Sequence, residues 1–430
     1  MPSPRKGPRR SLPLAAPEGP GASGLPLSGE PPSPAGLPSS TEDVPGPQGR
    51  PVSPAGSRRR HYAMWMFTGA CPSRCVYCDI QSQQGRAGLS RDEVERVASE
   101  IVEAGFSEVF FVGGEALLSP DLPAALAILR GRVQTALFTG GVPGLAERAV
   151  KVLGEGGVDR IVLSIDSGDD EKNDRIRGRK GITRELVALA ALAKERLPRM
   201  GRSVNTVVSR ENAATLADVW DRMSPFALDS WALTLAGDSF EGSPGHAFVG
   251  LDELERLYFE TIPDLSARTS KAGVELVVLP VPYPLLAAKI PPIRWSEMAR
   301  DRFARSPLGR ARTPVLAELE LYSRGQHNAT FVRKHGCPIV GLDVVIGVGG
   351  EVHPCSQAPI IDRRWSVGNV KSQPLADILE GPALRDFQSK LPHPPCTRCW
   401  APSNIPRDAL VELLARRPRE QNLSAVRGRR

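Results

Sequence analysis

The sequence predicts an α/β fold: a partial (β/α)6 barrel, a smaller cysteine-bearing domain after it, and a disordered extension before it. Three observations carry this expectation. Between residues 61 and 240, short β-branched or aromatic runs alternate with amphipathic stretches, as a parallel strand–helix repeat requires. The seven cysteines fall into two groups with more than 250 residues between them. The first 60 residues hold 15 of the 41 prolines and 9 of the 41 glycines.

The elements follow in order. Candidate strands are 62–67, 108–112, 133–138, 159–165, 202–208 and 230–235, and helix-like segments lie near 90–104, 121–130, 143–154, 182–196 and 213–223. Ser90 with Glu93 three residues on predicts a capped start for the first helix. Six such units fit a partial barrel, whose chemistry sits at the C-terminal ends of the strands. Residues 241–330 follow neither pattern. They contain Pro280, Pro282, Pro284, Pro291 and Pro292, then a basic, helix-prone run from Trp295 to Leu321, and read as a cap or bridge over the barrel mouth. A cysteine-bearing domain over 331–405 and a basic tail over 406–430 complete the chain.

Residues 1–60 have almost no clustered large hydrophobics to offset the entropy of ordering, and so predict disorder. Arg5, Lys6, Arg9 and Arg10 resemble the start of an export signal, but Pro13, Pro17 and Pro20 interrupt the apolar stretch that should follow. No run approaches the roughly 20 apolar residues a membrane-spanning helix needs. The expectation is a cytoplasmic protein without a membrane partner. Of the net charge of +7, residues 1–60 and 406–430 each carry +4, which leaves the middle at −1. A near-neutral core with basic tails lacks the continuous positive face that follows a phosphate backbone, so nucleic acid is not the expected partner.

The first cysteine group is Cys71, Cys75 and Cys78, in the run Thr68-Gly-Ala-Cys-Pro-Ser-Arg-Cys-Val-Tyr-Cys-Asp79. Three thiolates on one loop can hold three irons of a cubane, leaving a fourth open to chelate a small molecule through an amine and a carboxylate. A zinc knuckle is the alternative, but it wants a fourth ligand and none stands nearby. Cys-x3-Cys-x2-Cys, with Tyr77 directly before the third cysteine, resembles the signature of the radical S-adenosylmethionine superfamily. That resemblance implies a [4Fe–4S] cluster binding S-adenosylmethionine and a flavodoxin- or ferredoxin-type reductant.

Further matches stand at strand ends. Gly113-Gly114-Glu115 resembles the family's motif for the methionine amine, although Ala116 replaces the proline that most members carry next. Thr139-Gly140-Gly141 stands where the family has Thr-Asn-Gly, and is otherwise an ordinary turn. By the same resemblance Ser164, in Ser164-Ile165-Asp166, and Arg177, in Asp174-Arg-Ile-Arg177-Gly178, contact the methionine carboxylate. A capped strand end and a solvated helix start are the plain alternative. Asn205 matches a strand-five position that meets the nucleoside ribose, and could equally be a buried amide satisfied by backbone. No catalytic acid or base is identifiable.

The second group is Cys337, Cys355, Cys396 and Cys399, with Gly350 making the first pair Cys-x12-Gly-x4-Cys. Four thiolates can close the coordination of a whole cubane. The pattern resembles the SPASM/Twitch auxiliary domain. The full SPASM form would add cysteines at positions 405 and 409, which are Ile405 and Ala409, so the shorter Twitch form with one auxiliary cluster is expected. A zinc ribbon on the same four cysteines is the alternative. His353 reads as a neighbour or surface residue rather than a ligand, and Trp365 and Trp400 as packing around the cluster loop.

Two clusters imply a scheme. The first cleaves S-adenosylmethionine to a 5′-deoxyadenosyl radical that removes a hydrogen atom from substrate, and the second accepts the remaining electron. The favoured expectation is an oxidoreductase that dehydrogenates a small polar alcohol of sugar or aminocyclitol type. It resembles, in its cysteine plan, the Twitch-bearing 2-deoxy-scyllo-inosamine dehydrogenases of antibiotic biosynthesis. The alternative is a maturase of a ribosomally made peptide. Such enzymes often carry a winged-helix leader-binding segment before the barrel, which residues 1–60 cannot fold, and this weighs against the peptide reading. A metal-stabilised binding protein without redox chemistry is a third reading, which labile-sulfide analysis separates.

Overall fold

The computed structural model describes residues 60–236, 249–282, 307–326, 329–337 and 339–399. The readings of residues 1–60 as disordered, of 406–430 as a tail and of Trp400 as packing lie outside these residues, except that Arg60 is described and opens the first strand.

The six expected strands form as β1 (Arg60–Thr68), β2 (Phe106–Gly113), β3 (Gln134–Thr139), β4 (Arg160–Ser164), β5 (Gly201–Val208) and β6 (Ser230–Leu235). Each pairs in parallel with the next. The helices between them include α1 (Arg91–Glu103), α2 (Leu122–Leu129), α3 (Ala146–Gly156), α4 (Asp170–Ile176), α5 (Ile182–Arg196) and α6 (Leu216–Met223). The Ser90–Glu93 capping box is made: Glu93 N donates to Ser90 Oγ at 3.3 Å and Ser90 N to Glu93 Oε2 at 2.7 Å. Alternation within strands sorts side chains to two faces. Val109 and Phe111 are fully buried, and Phe111 packs on Trp65 and Phe67, whereas Phe110 stacks on Tyr62 and meets Phe138 edge-on. Burial of each such large side chain contributes about 1.5–3 kcal/mol.

The sheet is larger than six strands. After helices α7 (Leu251–Arg256) and α8 (Ile262–Lys271), joined through a π-helical turn over Leu257–Thr261, a seventh strand β7 (Glu275–Leu279) pairs in parallel with β6. It falls within the stretch read as a cap. Its five residues run straight into Pro280, and the prolines beyond gave the region an irregular look in sequence. At the other edge β8 (Val344–Ile346) pairs in parallel with β1. The hairpin partner β9 (Glu351–His353) and β10 (Gly368–Asn369) follow antiparallel. The full order is β10-β9-β8-β1-β2-β3-β4-β5-β6-β7, so the barrel stays open among the described residues. The cysteine-bearing segment therefore extends the sheet at β1. Its helices include Ala329–His335, Ala358–Ile361, Leu375–Leu379 and Pro382–Ser389. Among the described residues no helix is long and apolar enough to cross a membrane.

Candidate active site

The loop leaving β1 carries Cys71, Cys75 and Cys78, and its backbone is pinned from three sides. Arg74 N and Val76 N each donate at 3.0 Å to the carbonyls of Arg177 and Ile176 at the end of α4. Gly114 N and Glu115 N donate to Thr68 O and Ala70 O at 2.6 and 2.7 Å. Gln81 Nε2 and Gln84 Nε2 reach Ser73 O and Cys71 O at 2.5 and 3.2 Å. Two glycines make this packing feasible. A Cβ on Gly114 would lie 2.1 Å from Ala70 O, and one on Gly178, whose φ is +64°, would lie 2.3 Å from Arg74 O. The close approach expected of the Gly-Gly pair toward a ligand is thus made first to the cysteine loop itself.

Above this loop is a cavity of about 180 Å³. All three cysteines line it, together with Tyr77, Gly113, Gly114, Glu115, Thr139, Gly140, Ser164 and Arg177. Every residue expected at the first site except Asn205 is brought to one wall or another. Asn205 stands next to Ser164 in the β4–β5 register, where its Oδ1 accepts from Thr234 Oγ1 at 3.2 Å.

Glu115 is only 2% exposed. Its Oε2 accepts from Thr139 Oγ1 at 2.9 Å and Gly140 N at 3.0 Å, and its Oε1 from Leu117 N at 3.4 Å. Burial pushes its pKa up to about 7, against those three bonds and the nearby Arg177 charge. The Thr139-Gly140 turn is therefore more than a turn, since it orients the Glu115 carboxylate. Arg177 is also buried. Burial works against its charge, but Asp166, Tyr77 and Cys75 more than offset that, and its pKa is raised. Its Nε lies 2.7 Å from Asp166 Oδ2, its Nη1 lies 3.8 Å from Cys75 Sγ, and its Nη2 has no hydrogen-bond partner. Tyr77 donates to Asp166 Oδ2 at 2.6 Å, and the Arg177 guanidinium sits over the Tyr77 ring at 5.9 Å. Asp166, fully buried, was passed over as a site residue in the sequence. Its signal was the place it holds, two residues beyond the serine that closes β4.

The second group converges as well. Cys337, Cys355, Cys396 and Cys399 line one small apolar cavity of about 20 Å³ with Trp365, Phe387 and Leu391. Gly350 explains the spacing of the first pair. With φ +87° it closes the β8–β9 hairpin, its N–H bonding Gly347 O at 3.0 Å, and so returns the chain toward Cys355. Trp365 packs edge-on against Phe387 with ring centres 5.3 Å apart. His353 is buried rather than on the surface, with Nδ1 3.0 Å from Trp365 O.

The donor sets fit iron–sulfur clusters. None of the seven cysteines is in a disulfide. Burial pushes the Cys337 thiol up to about 11 and Cys396 to about 12, so these sulfurs need a bound cation to become thiolates. In a cubane each thiolate binds its own iron, and four cysteines converging on one cavity suit that arrangement. The unpartnered Arg177 Nη2 beside the first cavity suits an anionic group of a cofactor.

Comparison with known families agrees. The radical SAM superfamily profile matches residues 65–222, and the iron-sulfur cluster-binding SPASM domain profile matches 337–400. The chain belongs to the radical S-adenosylmethionine superfamily. It is a radical SAM enzyme with a C-terminal SPASM-type domain, and its cofactors are S-adenosylmethionine and two [4Fe–4S] clusters. A PqqA peptide cyclase of Granulibacter bethesdensis is 30% identical over 253 residues, 57% of this chain and 65% of the relative. Another, of Rhodopseudomonas palustris, is 29% identical over 182 residues, 41% of this chain and 46% of the relative. The chain thus spans less than two thirds of the length of these curated relatives. Among solved structures, Streptococcus suis SuiB bound to S-adenosylmethionine aligns with a TM-score of 0.55 at 16% identity, covering 77% of this chain and 68% of that one. At that identity the likeness is one of fold.

These relatives overturn the expectation of a small-molecule dehydrogenase. That reading rested on the cysteine plan, and the same two-cluster plan occurs in this radical SAM chain whose sequence relatives are peptide cyclases. The argument from residues 1–60 against a peptide substrate does not outweigh them.

Proposed function

We propose that this radical SAM enzyme is a maturase that modifies a ribosomally made peptide. The observation that carries the reading is the 30% identity to a PqqA peptide cyclase over 57% of the chain. When bound, the clusters and cofactor supply a 5′-deoxyadenosyl radical at the first site and an electron relay at the second.

The chain's own residues divide the remaining work. Cys71, Cys75 and Cys78 hold the first cluster, and Cys337, Cys355, Cys396 and Cys399 the second. Glu115, aimed by Thr139 and Gly140, accepts the methionine ammonium, for which a carboxylate buried beside the cavity is suited. Arg177 Nη2 and the Ser164 hydroxyl receive the methionine carboxylate. Asp166 keeps Arg177 ionised and fixed in place, and Tyr77 completes that wall. Asn205 takes the ribose. Gly113 and Gly114 keep the end of β2 against the cysteine loop. A flavodoxin- or ferredoxin-type protein supplies the electron, and the enzyme works in the cytoplasm.

The test is anaerobic incubation of reconstituted enzyme with S-adenosylmethionine, dithionite and candidate precursor peptides, read by mass spectrometry. A peptide that loses the mass of two hydrogens while 5′-deoxyadenosine accumulates supports the proposal. Turnover of a small polyol with every peptide unchanged would refute it.

A further inference from the structure

The segment just after the catalytic cysteines is grasped by the auxiliary domain. Asp79 directly follows Cys78, and Ser82 lies in the 3-10 turn Ile80–Gln83. Arg363 spans both: its Nη1 donates to Ser82 Oγ at 2.6 Å and its Nη2 pairs with Asp79 Oδ2. Two more contacts hold the same segment. Arg86 pairs with Glu351 on the β8–β9 hairpin, and Lys371 Nζ donates to Gly88 O at 2.8 Å.

The turn that Arg363 holds is the one that props the cysteine loop. Gln81 and Gln84 are the residues that reach Ser73 O and Cys71 O. Arg363 is joined to the second cysteine group along the chain. It follows the short helix Ala358–Ile361, whose first N–H bonds Cys355 O at 3.2 Å. An unbroken line of bonds thus runs from the loop of Cys355, through Arg363, to the carbonyls of the loop that carries Cys71.

We propose that Arg363 is a positioning residue for the catalytic cluster. It ties the loop of the second cluster to the loop of the first, so that S-adenosylmethionine binding depends on a docked auxiliary domain. A planar two-pronged donor suits this task, because one guanidinium can satisfy a carboxylate and a hydroxyl in fixed relation. Both partners are about a third exposed, at 33% and 31%, so the pair adds little to stability and an Arg363 variant should fold. The inference rests on Cys71, Cys75 and Cys78 as cluster ligands but not on the identity of the substrate.

The experiment compares wild-type, Arg363→Ala and Arg363→Lys holoenzymes, each reconstituted anaerobically. It measures S-adenosylmethionine affinity, its effect on the EPR signal of the reduced first cluster, and hydrogen exchange over residues 79–88. None of these readouts requires the peptide, so a failed peptide assignment leaves them interpretable. Arg363→Ala at full iron content should bind S-adenosylmethionine at least five-fold more weakly and exchange faster over 79–88. Arg363→Lys, which keeps the ion pair to Asp79, should recover much of the loss. Unchanged affinity and exchange in a fully loaded Arg363→Ala enzyme would overturn the proposal. If Arg363→Ala fails to load, Arg363→Lys decides: wild-type exchange and affinity support it only if Arg363→Gln, which lacks the charge, is impaired. Equal behaviour of Lys and Gln variants to wild type overturns it.

Discussion

Replacing Glu115 with Gln is the sharpest test of the first site, because it removes a charge at nearly constant shape. The carboxylate accepts two good hydrogen bonds on one oxygen, from Thr139 Oγ1 and Gly140 N, and a long one of 3.4 Å from Leu117 N on the other. A Gln can keep its oxygen toward Thr139 and Gly140 and turn its amide toward Leu117, giving up only the weakest contact. The folding cost is therefore about 1 kcal/mol. What disappears is the charge-assisted bond to an ammonium, about 1.5–3 kcal/mol, which corresponds to roughly 10- to 100-fold in dissociation constant. The pH profile adds a second readout. With the carboxyl pushed up to about 7, wild-type affinity should weaken roughly ten-fold between pH 8 and pH 6 as the acceptor protonates, while the Gln variant stays flat at its lower level. The sign for stability is opposite. A folded pKa near 7 against an ordinary 4.5 means that this group's stability contribution is present below 4.5 and lost as pH rises through 7. Equilibrium binding to the reconstituted enzyme and thermal melts of the apoprotein check the two halves. Equal affinity in wild type and variant at pH 8 would refute the ammonium assignment.

Three further outcomes are expected. Anaerobically purified protein should hold about eight iron and eight sulfide, and the Cys71, Cys75, Cys78 triple Ala variant about four of each with no 5′-deoxyadenosine formed. Replacing Cys396 and Cys399 with Ala should lower modified peptide roughly ten-fold or more while 5′-deoxyadenosine still forms, once circular dichroism shows the barrel folded and hydrogen exchange over residues 79–88 shows the auxiliary domain still docked. Gly178→Ala should cost roughly 1–3 kcal/mol, because the new Cβ meets Arg74 O and the residue has a positive φ; chemical denaturation measures it.

Much of this architecture was legible because its signals are local. Six strands, their helices and the Ser90 capping box follow from periodicity and end chemistry within windows of a dozen residues. The spacing of the first cysteine group is likewise local, whereas the second is legible only as a longer pattern, and each group lines a single cavity. Asp166 and Thr139 were harder. Each acts on a partner well away along the chain, Asp166 on Tyr77 89 residues before it and Thr139 on Glu115 24 residues before it, and only the folded sheet brings those positions together. Strand β7 is hidden by the prolines that follow it, from Pro280 on. The pairing of β8 with β1 joins segments about 280 residues apart, and nothing in either run names the other.

The misread substrate class has a chemical cause. A cluster with an open iron and a fully ligated cluster together specify electron flow: one hydrogen atom leaves the substrate, then a proton and an electron. Alcohol dehydrogenation and closure of a bond within a peptide have the same balance, two hydrogens lost in each. Seven cysteines therefore report how many electrons move and not what they move from. Substrate choice belongs to the walls above the cofactor, and the described walls of the first cavity consist of the cysteine loop with Ile80 after it, the ends of β2, β3 and β4, and Arg177 at the end of α4. Those are the cofactor's own contacts on the proposed assignment. Resemblance over 57% and 41% of the chain weighs residues beyond these motifs, and the relatives it finds are peptide cyclases. The consequence can be tested directly: exchanging cofactor-wall residues such as Ser164→Ala should weaken S-adenosylmethionine binding without altering which peptide is modified. A changed peptide preference in that variant would mean that cofactor and substrate share one wall, and that the cysteine plan and its strand ends carry more of the specificity than this division of labour allows.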